Sequence, residues 1–131
     1  MERIAVNPVS WSTELGFNQG ELVVGAHRTL YVSGQTATDS TGAPQHVDDV
    51  AAQLALCLDN VEAVLAGAGM TLADLVRLSV HTTDVDALLP HYGVLAGRLG
   101  AAGAAPTTTM LGVVRLALPG QVVELEATAV A

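Results

Sequence analysis

VRLSVHTT, residues 76–83, alternates apolar and polar side chains. That is the pattern of a strand with one face in a core, and it puts Arg77, Ser79 and His81 together on the other face. Just upstream, TLAD at 71–74 has the form of a short capping box. Before it, Val50, Leu54, Cys57, Leu58, Val61, Val64 and Leu65 recur every three or four residues, which predicts one long amphipathic helix. Asp48 and Asp49 suit the positive end of its dipole, Gly67 or Gly69 suits its C-cap, and Gln53, Asp59 and Glu62 fall mainly off its apolar face. Downstream, Asp84 or Asp86 can cap a second helix, or Pro90 can sit in its first turn, with 91–99 as its body. A small-residue loop at 100–105 leads to a strand around Val113, and 122–130 alternates as the last strand. Towards the N-terminus, 21–24 and 29–33 read as a hairpin across the loop 25–28.

The order strand, strand, helix, strand, helix, strand, strand predicts one α+β domain over 1–131, with both helices on one face of a mixed sheet. A chain this short has no third layer for the opposite face. Residues such as Val23, Val32 and Val80, or their alternates, then need another molecule to cover them, and self-association is the simplest source.

Composition narrows the function. The formal net charge is −8, with 13 acids against 5 basic residues, all arginine, which disfavours a surface that tracks phosphates and favours small-molecule ligands. Without lysine, Schiff-base chemistry through an ε-amine, pyridoxal phosphate mechanisms included, has no residue to use. The single cysteine, Cys57, falls on the apolar helix stripe and reads as core rather than nucleophile. MERIAVNPVS lacks the layout of a signal peptide and the apolar runs are short, so the expected compartment is the cytoplasm, away from membranes. His27, His46, His81 and His91 lack zinc spacing, and the glycines fit neither a dinucleotide nor a phosphate loop. No metal or cofactor is expected.

Several segments then match one pattern in order and spacing: GFNQG at 16–20, YVSGQ at 31–35, the Gln53 helix, AGAGMTLADLV at 66–76, TTD at 82–84, Tyr92 and LPGQVVELEATAVA at 118–131. Over nearly its whole length the chain resembles the RidA/YjgF family of enamine and imine deaminases. The resemblance implies a chorismate-mutase-like α+β fold, a homotrimer with inward-facing sheets, and ligand clefts between subunits. In that family a cleft arginine in a Pro-Ala-Arg-Ser/Thr motif holds the substrate carboxylate. Here Pro106, Thr107, Thr108 and Thr109 stand at those four places, so Thr108 replaces the arginine. A hydroxyl does not substitute for a bidentate guanidinium.

Other cleft positions change as well. Phe17 stands for a tyrosine, Leu89 for an asparagine and Met110 for a cysteine, and two residues are inserted between Leu116 and Pro119. Ser33, Gly34, Gln19 and Glu124 keep the family's residues, and Glu124 falls where a glutamate is thought to place water. The resemblance therefore implies Glu124 as the catalytic group, with Phe17, Ser33, Gly34, Leu89, Thr108 and Met110 contacting substrate. A Glu124 sheltered by Met110 and Leu89 would suit proton transfer. Glu126 shares its strand face and reads as structural. Arg115 lies at an odd separation from Thr108, which on a regular strand turns it to the opposite face. Arg28 reads as a solvated charge, and Arg77 as a surface residue or intersubunit partner. Ser33 sits outside any nucleophile elbow and reads as a ligand contact.

Three functions follow, in this order. The first is an enzyme acting on a small imine, enamine or related unsaturated carbonyl compound in the intersubunit clefts, with little of the usual 2-aminoacrylate deaminase activity. The second is a non-catalytic trimer that binds a metabolite or partner protein. The third is an endoribonuclease, ranked last because the chain lacks clustered cations and stacking aromatics.

Overall fold

The computed structural model describes residues 1–131. Its elements are β1 (Glu2–Val6), α1 (Trp11–Glu14), β2 (Gly20–Val24), β3 (Thr29–Gln35), α2 (Val50–Gly67), β4 (Leu75–Thr82), α3 (Val85–Leu88), α4 (Tyr92–Ala101), β5 (Thr107–Gly112) and β6 (Val123–Val130). Short 3-10 turns lie at Leu72–Asp74 and Leu89–His91.

A four-stranded sheet runs β3-β6-β4-β5, with β4 and β5 parallel and the other pairs antiparallel. The parallel pair requires a crossover, which α3 and α4 supply. The last strand of the chain thus lies inside the sheet, between β3 and β4.

The predicted hairpin of 21–24 with 29–33 does not form. β2 pairs instead with β1, Leu22 opposite Ile4 and Val24 opposite Glu2, in a separate ladder. Gly25, at φ +71, turns the chain away, and β3 pairs with β6, where Val32 is buried. Arg3 anchors the small ladder to the rest: it pairs with Glu21 and donates to the carbonyls of Ala73 and Leu75 at 2.6 and 2.7 Å.

The strand expected around Val113 lies earlier, on the threonine run itself. β-Branched threonines favour the extended backbone, and each hydroxyl here has a partner. Thr107 Oγ1 donates to the Val76 carbonyl, Thr108 Oγ1 to the Pro106 carbonyl, and Thr109 Oγ1 accepts from Arg77. Val113 N–H makes a last bond to the Thr82 carbonyl, and Val114 is then fully exposed.

The cap and helix readings hold. The Asp49 carboxylate accepts from Ala52 N–H at the start of α2, and Gly69 adopts φ +68 just past its end. The Asp74 carboxylate accepts from Thr71 N–H, and Asp84 caps α3 through Ala87 N–H. By length and composition α2 could cross a bilayer, but its stripe of Leu54, Cys57, Leu58, Val61 and Leu65 is packed into the core. Leu95 and Leu99 of α4, Leu78 and Val80 of β4, and Val123 and Leu125 of β6 complete that core.

Gln53 departs from its expected place off the apolar face: it is fully buried. Its amide donates to the carbonyls of His46 (2.9 Å) and Gly120 (3.0 Å), and its carbonyl accepts from Val122 N–H at 2.9 Å. One side chain thus fastens the start of α2 to the loop entering β6. Gly120 has no room for a side chain, since a Cβ there would stand 2.7 Å from Val47 Cγ1 at a φ of +78.

Both longer helices cover the same face of the sheet. Val32 and Val80 lie on that covered face, so it is their alternates, Tyr31, Ser79 and His81, that occupy the open one. Tyr31 is 80% exposed there. It rims a cavity of about 210 Å³ with Arg77, Ser79, Glu126 and Thr128. An aromatic ring so exposed on a sheet face is a surface that another molecule can bury.

Candidate functional site

Glu124 is the second residue of β6 and faces the open side, between two buried neighbours, Val123 and Leu125. His81 of β4 is directly opposite it, and Ser79 is opposite Glu126. The alternation expected for β6 is therefore observed, with Glu124 half-buried and Glu126 exposed.

What distinguishes the two acids is β3. Its pairing with β6 passes from Val32–Ala127 to Gln35–Leu125, so Ser33 and Gly34 together oppose Glu126. This is a β-bulge, a device that re-aims backbone and side chains. It brings the Gly34 backbone beneath the Glu124 carboxylate. A Cβ on Gly34 would stand 2.7 Å from the carboxylate carbon and closer still to Oε1. Glycine here holds space for a carboxylate.

The clash of Gly34→Ala falls on the mobile end of a side chain, so the variant should fold with nearly wild-type stability while its methyl pushes the carboxylate aside. A catalytic role for Glu124 then predicts a fall in turnover of about tenfold or more, because a displaced acid loses its alignment. Thermal unfolding measured beside kinetics checks it, and unchanged turnover in the folded variant contradicts it.

The remaining candidates are not gathered around Glu124 within one chain. Thr108 and Met110 pair with Leu78 and Val80 on the helix-covered face, so Met110 does not shelter Glu124 from within the same chain. The Thr108 hydroxyl is already bonded to the Pro106 carbonyl at 2.9 Å. Phe17 is half-buried and meets Trp11 edge-to-face, with ring centroids 5.8 Å apart. Tyr92 Oη donates to the Leu15 carbonyl at 3.3 Å and so holds the segment that carries Phe17, while burial raises the Tyr92 phenol above its ordinary pKa. Leu89 is 52% exposed at the turn before α4. Gln19 supports the N-terminal segment, its Oε1 accepting from Val9 N–H at 3.4 Å.

Cys57 is fully buried, and its thiol is pushed up to about 12, first by burial and then by the nearby Glu124 charge. It is inert packing, as its helical position implied. No cluster of three or more metal-ligating side chains exists in the chain.

Residues 12–131 match the family described as Endoribonuclease L-PSP. Among solved structures, the Rid-family protein YyfB of Yersinia pestis is 34% identical, with a TM-score of 0.86 and all of both chains covered. The chain belongs to the RidA/YjgF family. Its Rid relatives include the RutC family protein YjgH of Escherichia coli, 28% identical over 89% of this chain and 88% of that one. TdcF of E. coli, solved with bound serine, is 29% identical with a TM-score of 0.71, covering 88% of this chain and 87% of that one. The α+β architecture of this Rid chain is that of its structural neighbours.

Two features of this Rid fold escaped sequence reasoning. Gln53 resembles an ordinary polar helix residue until the loop entering β6 supplies Gly120 and Val122 as partners. The Ser33–Gly34 bulge exists only because β6 is the partner of β3.

Proposed function

We propose that the protein is a Rid-type enzyme that acts on a small imine, enamine or related unsaturated carbonyl compound, in clefts formed between the subunits of a homotrimer. The observation that carries this reading is the Glu124 carboxylate lying over the bare backbone of Gly34, beside Ser33. A carboxylate set against main-chain polar groups can activate water and move a proton. Assembly is supported by the open sheet face with its exposed Tyr31, and by the split of Thr108 and Met110 from Glu124 across the two faces of one sheet. The serine-bound TdcF structure supports a small polar ligand for this fold.

The substrate we infer is less acidic or more apolar than the amino-acid-derived acrylates usual for the family. Thr108 brings no cation to a carboxylate, and Phe17 and Leu89 make the cleft more apolar. Losing a charged contact of this kind costs about 1.5–3 kcal/mol, or about one to two powers of ten in rate if it acts in the transition state. An RNA substrate fits poorly, since the chain carries a net charge of −8 and no lysine.

Two measurements on the wild-type protein test the reading. Sedimentation at micromolar concentration should give a trimer. A panel of imines and enamines generated in situ should show turnover, with 2-aminoacrylate among the poorest substrates. A stable monomer, or 2-aminoacrylate hydrolysis as fast as any other in the panel, contradicts it.

A further inference from the structure

The chain holds five arginines against a net charge of −8. Arg3 is bound to Glu21 and two carbonyls, Arg28 donates to the Ala68 carbonyl, Arg77 to Thr109, and Arg98 to Asp59, Glu62 and the Ala55 carbonyl. Arg115 alone makes no ion pair or hydrogen bond within the chain. Nor does its neighbourhood in sequence offer an acid, since none occurs between Asp86 and Glu124.

Alternation from Thr108 does not place Arg115, because β5 ends at Gly112. Arg115 lies in the following loop, where it lines a cavity of about 270 Å³ with Thr83, Val114, Leu116, Leu118 and Gln121. The Gln121 amide is already committed to Ala37 N–H and the Gln45 carbonyl. The guanidinium and the Thr83 hydroxyl therefore remain as polar contacts, beside the half-buried Leu116 and Leu118. An open concave surface where an unpaired cation stands beside apolar side chains is a site for an anion that carries an apolar group.

We propose that Arg115 and the loop 114–121 bind a small carboxylate with a short branched or aromatic tail. The guanidinium takes the carboxylate and Leu116 and Leu118 take the tail. The site shares no lining residue with Gly34 and Glu124, so it does not depend on the reaction proposed above.

Methyl and amide NMR on the intact protein tests this with 3-methylbutanoate and its neutral counterpart, 3-methylbutanamide. The acid should shift the signals of Thr83 and residues 114–121 saturably, and the amide should not. Arg115→Gln, a change of an exposed loop side chain, should weaken the acid by about ten- to a hundredfold, the worth of a charge-assisted contact. Arg115→Lys should fall between, and Glu124→Gln should match the wild type. Equal shifts from acid and amide, unchanged affinity in Arg115→Gln, saturation only at other residues, or no shift because a second copy seals the loop would each overturn the site.

Discussion

Glu124→Gln is expected to lower turnover roughly a hundredfold or more while leaving assembly intact, because glutamine keeps the shape and hydrogen bonding of the side chain and removes the proton acceptor. The size of the effect follows from the position. Glu124 is half-buried near the start of the central strand, and the glycine beneath it leaves the carboxylate uncrowded against main chain. The control is Glu126→Gln. That acid lies two residues on, on the same face, but it is exposed and opposite Ser79. Its change should alter turnover by less than about twofold, as expected of an exposed side chain outside the chemistry. Steady-state kinetics beside sedimentation separates the outcomes. Full activity in Glu124→Gln refutes the assignment, and equal loss in both variants points to strand stability instead of catalysis.

The largest effect on stability is expected at Gln53. Gln53→Met conserves length and much of the volume but strips the hydrogen bonds from a fully buried position. Val122 N–H loses its acceptor, and the carbonyls of His46 and Gly120 lose their shared donor. An unsatisfied buried group costs about 1–3 kcal/mol, so with several affected we expect a loss of about 3 kcal/mol and a fall in melting temperature of about 10 °C. Glu124 follows Val122 by two residues, so activity should fall with stability, unlike in Gly34→Ala. Thermal unfolding followed by circular dichroism gives the value. A shift of under about 2 °C would mean that the loop entering β6 is held by other contacts.

Local chemistry made much of this protein legible from its residues. The periodicity of α2, the acids at its start, the glycine past its end, the Thr71–Asp74 box and the alternation of β4 all depend on neighbours within a few positions, and all were found as expected. The combined motifs also identified the Rid family. Strand alternation alone put Glu124 and Glu126 on one face.

Partner choice between distant segments was not legible, because hydrophobic pattern fixes which face a strand buries and leaves open which strand lies beside it. Thus β2 went to an N-terminal strand that had not been foreseen, and β6 entered between β3 and β4. The consequences concentrate at the site. Only the β3–β6 pairing creates the bulge that sets Gly34 under Glu124, only the approach of the loop entering β6 buries Gln53 among His46, Gly120 and Val122, and only the end of β5 at Gly112 leaves Arg115 in a loop beside a cavity. Each is a contact across many residues of chain, decided by which surfaces can be buried together and which polar groups can then be satisfied.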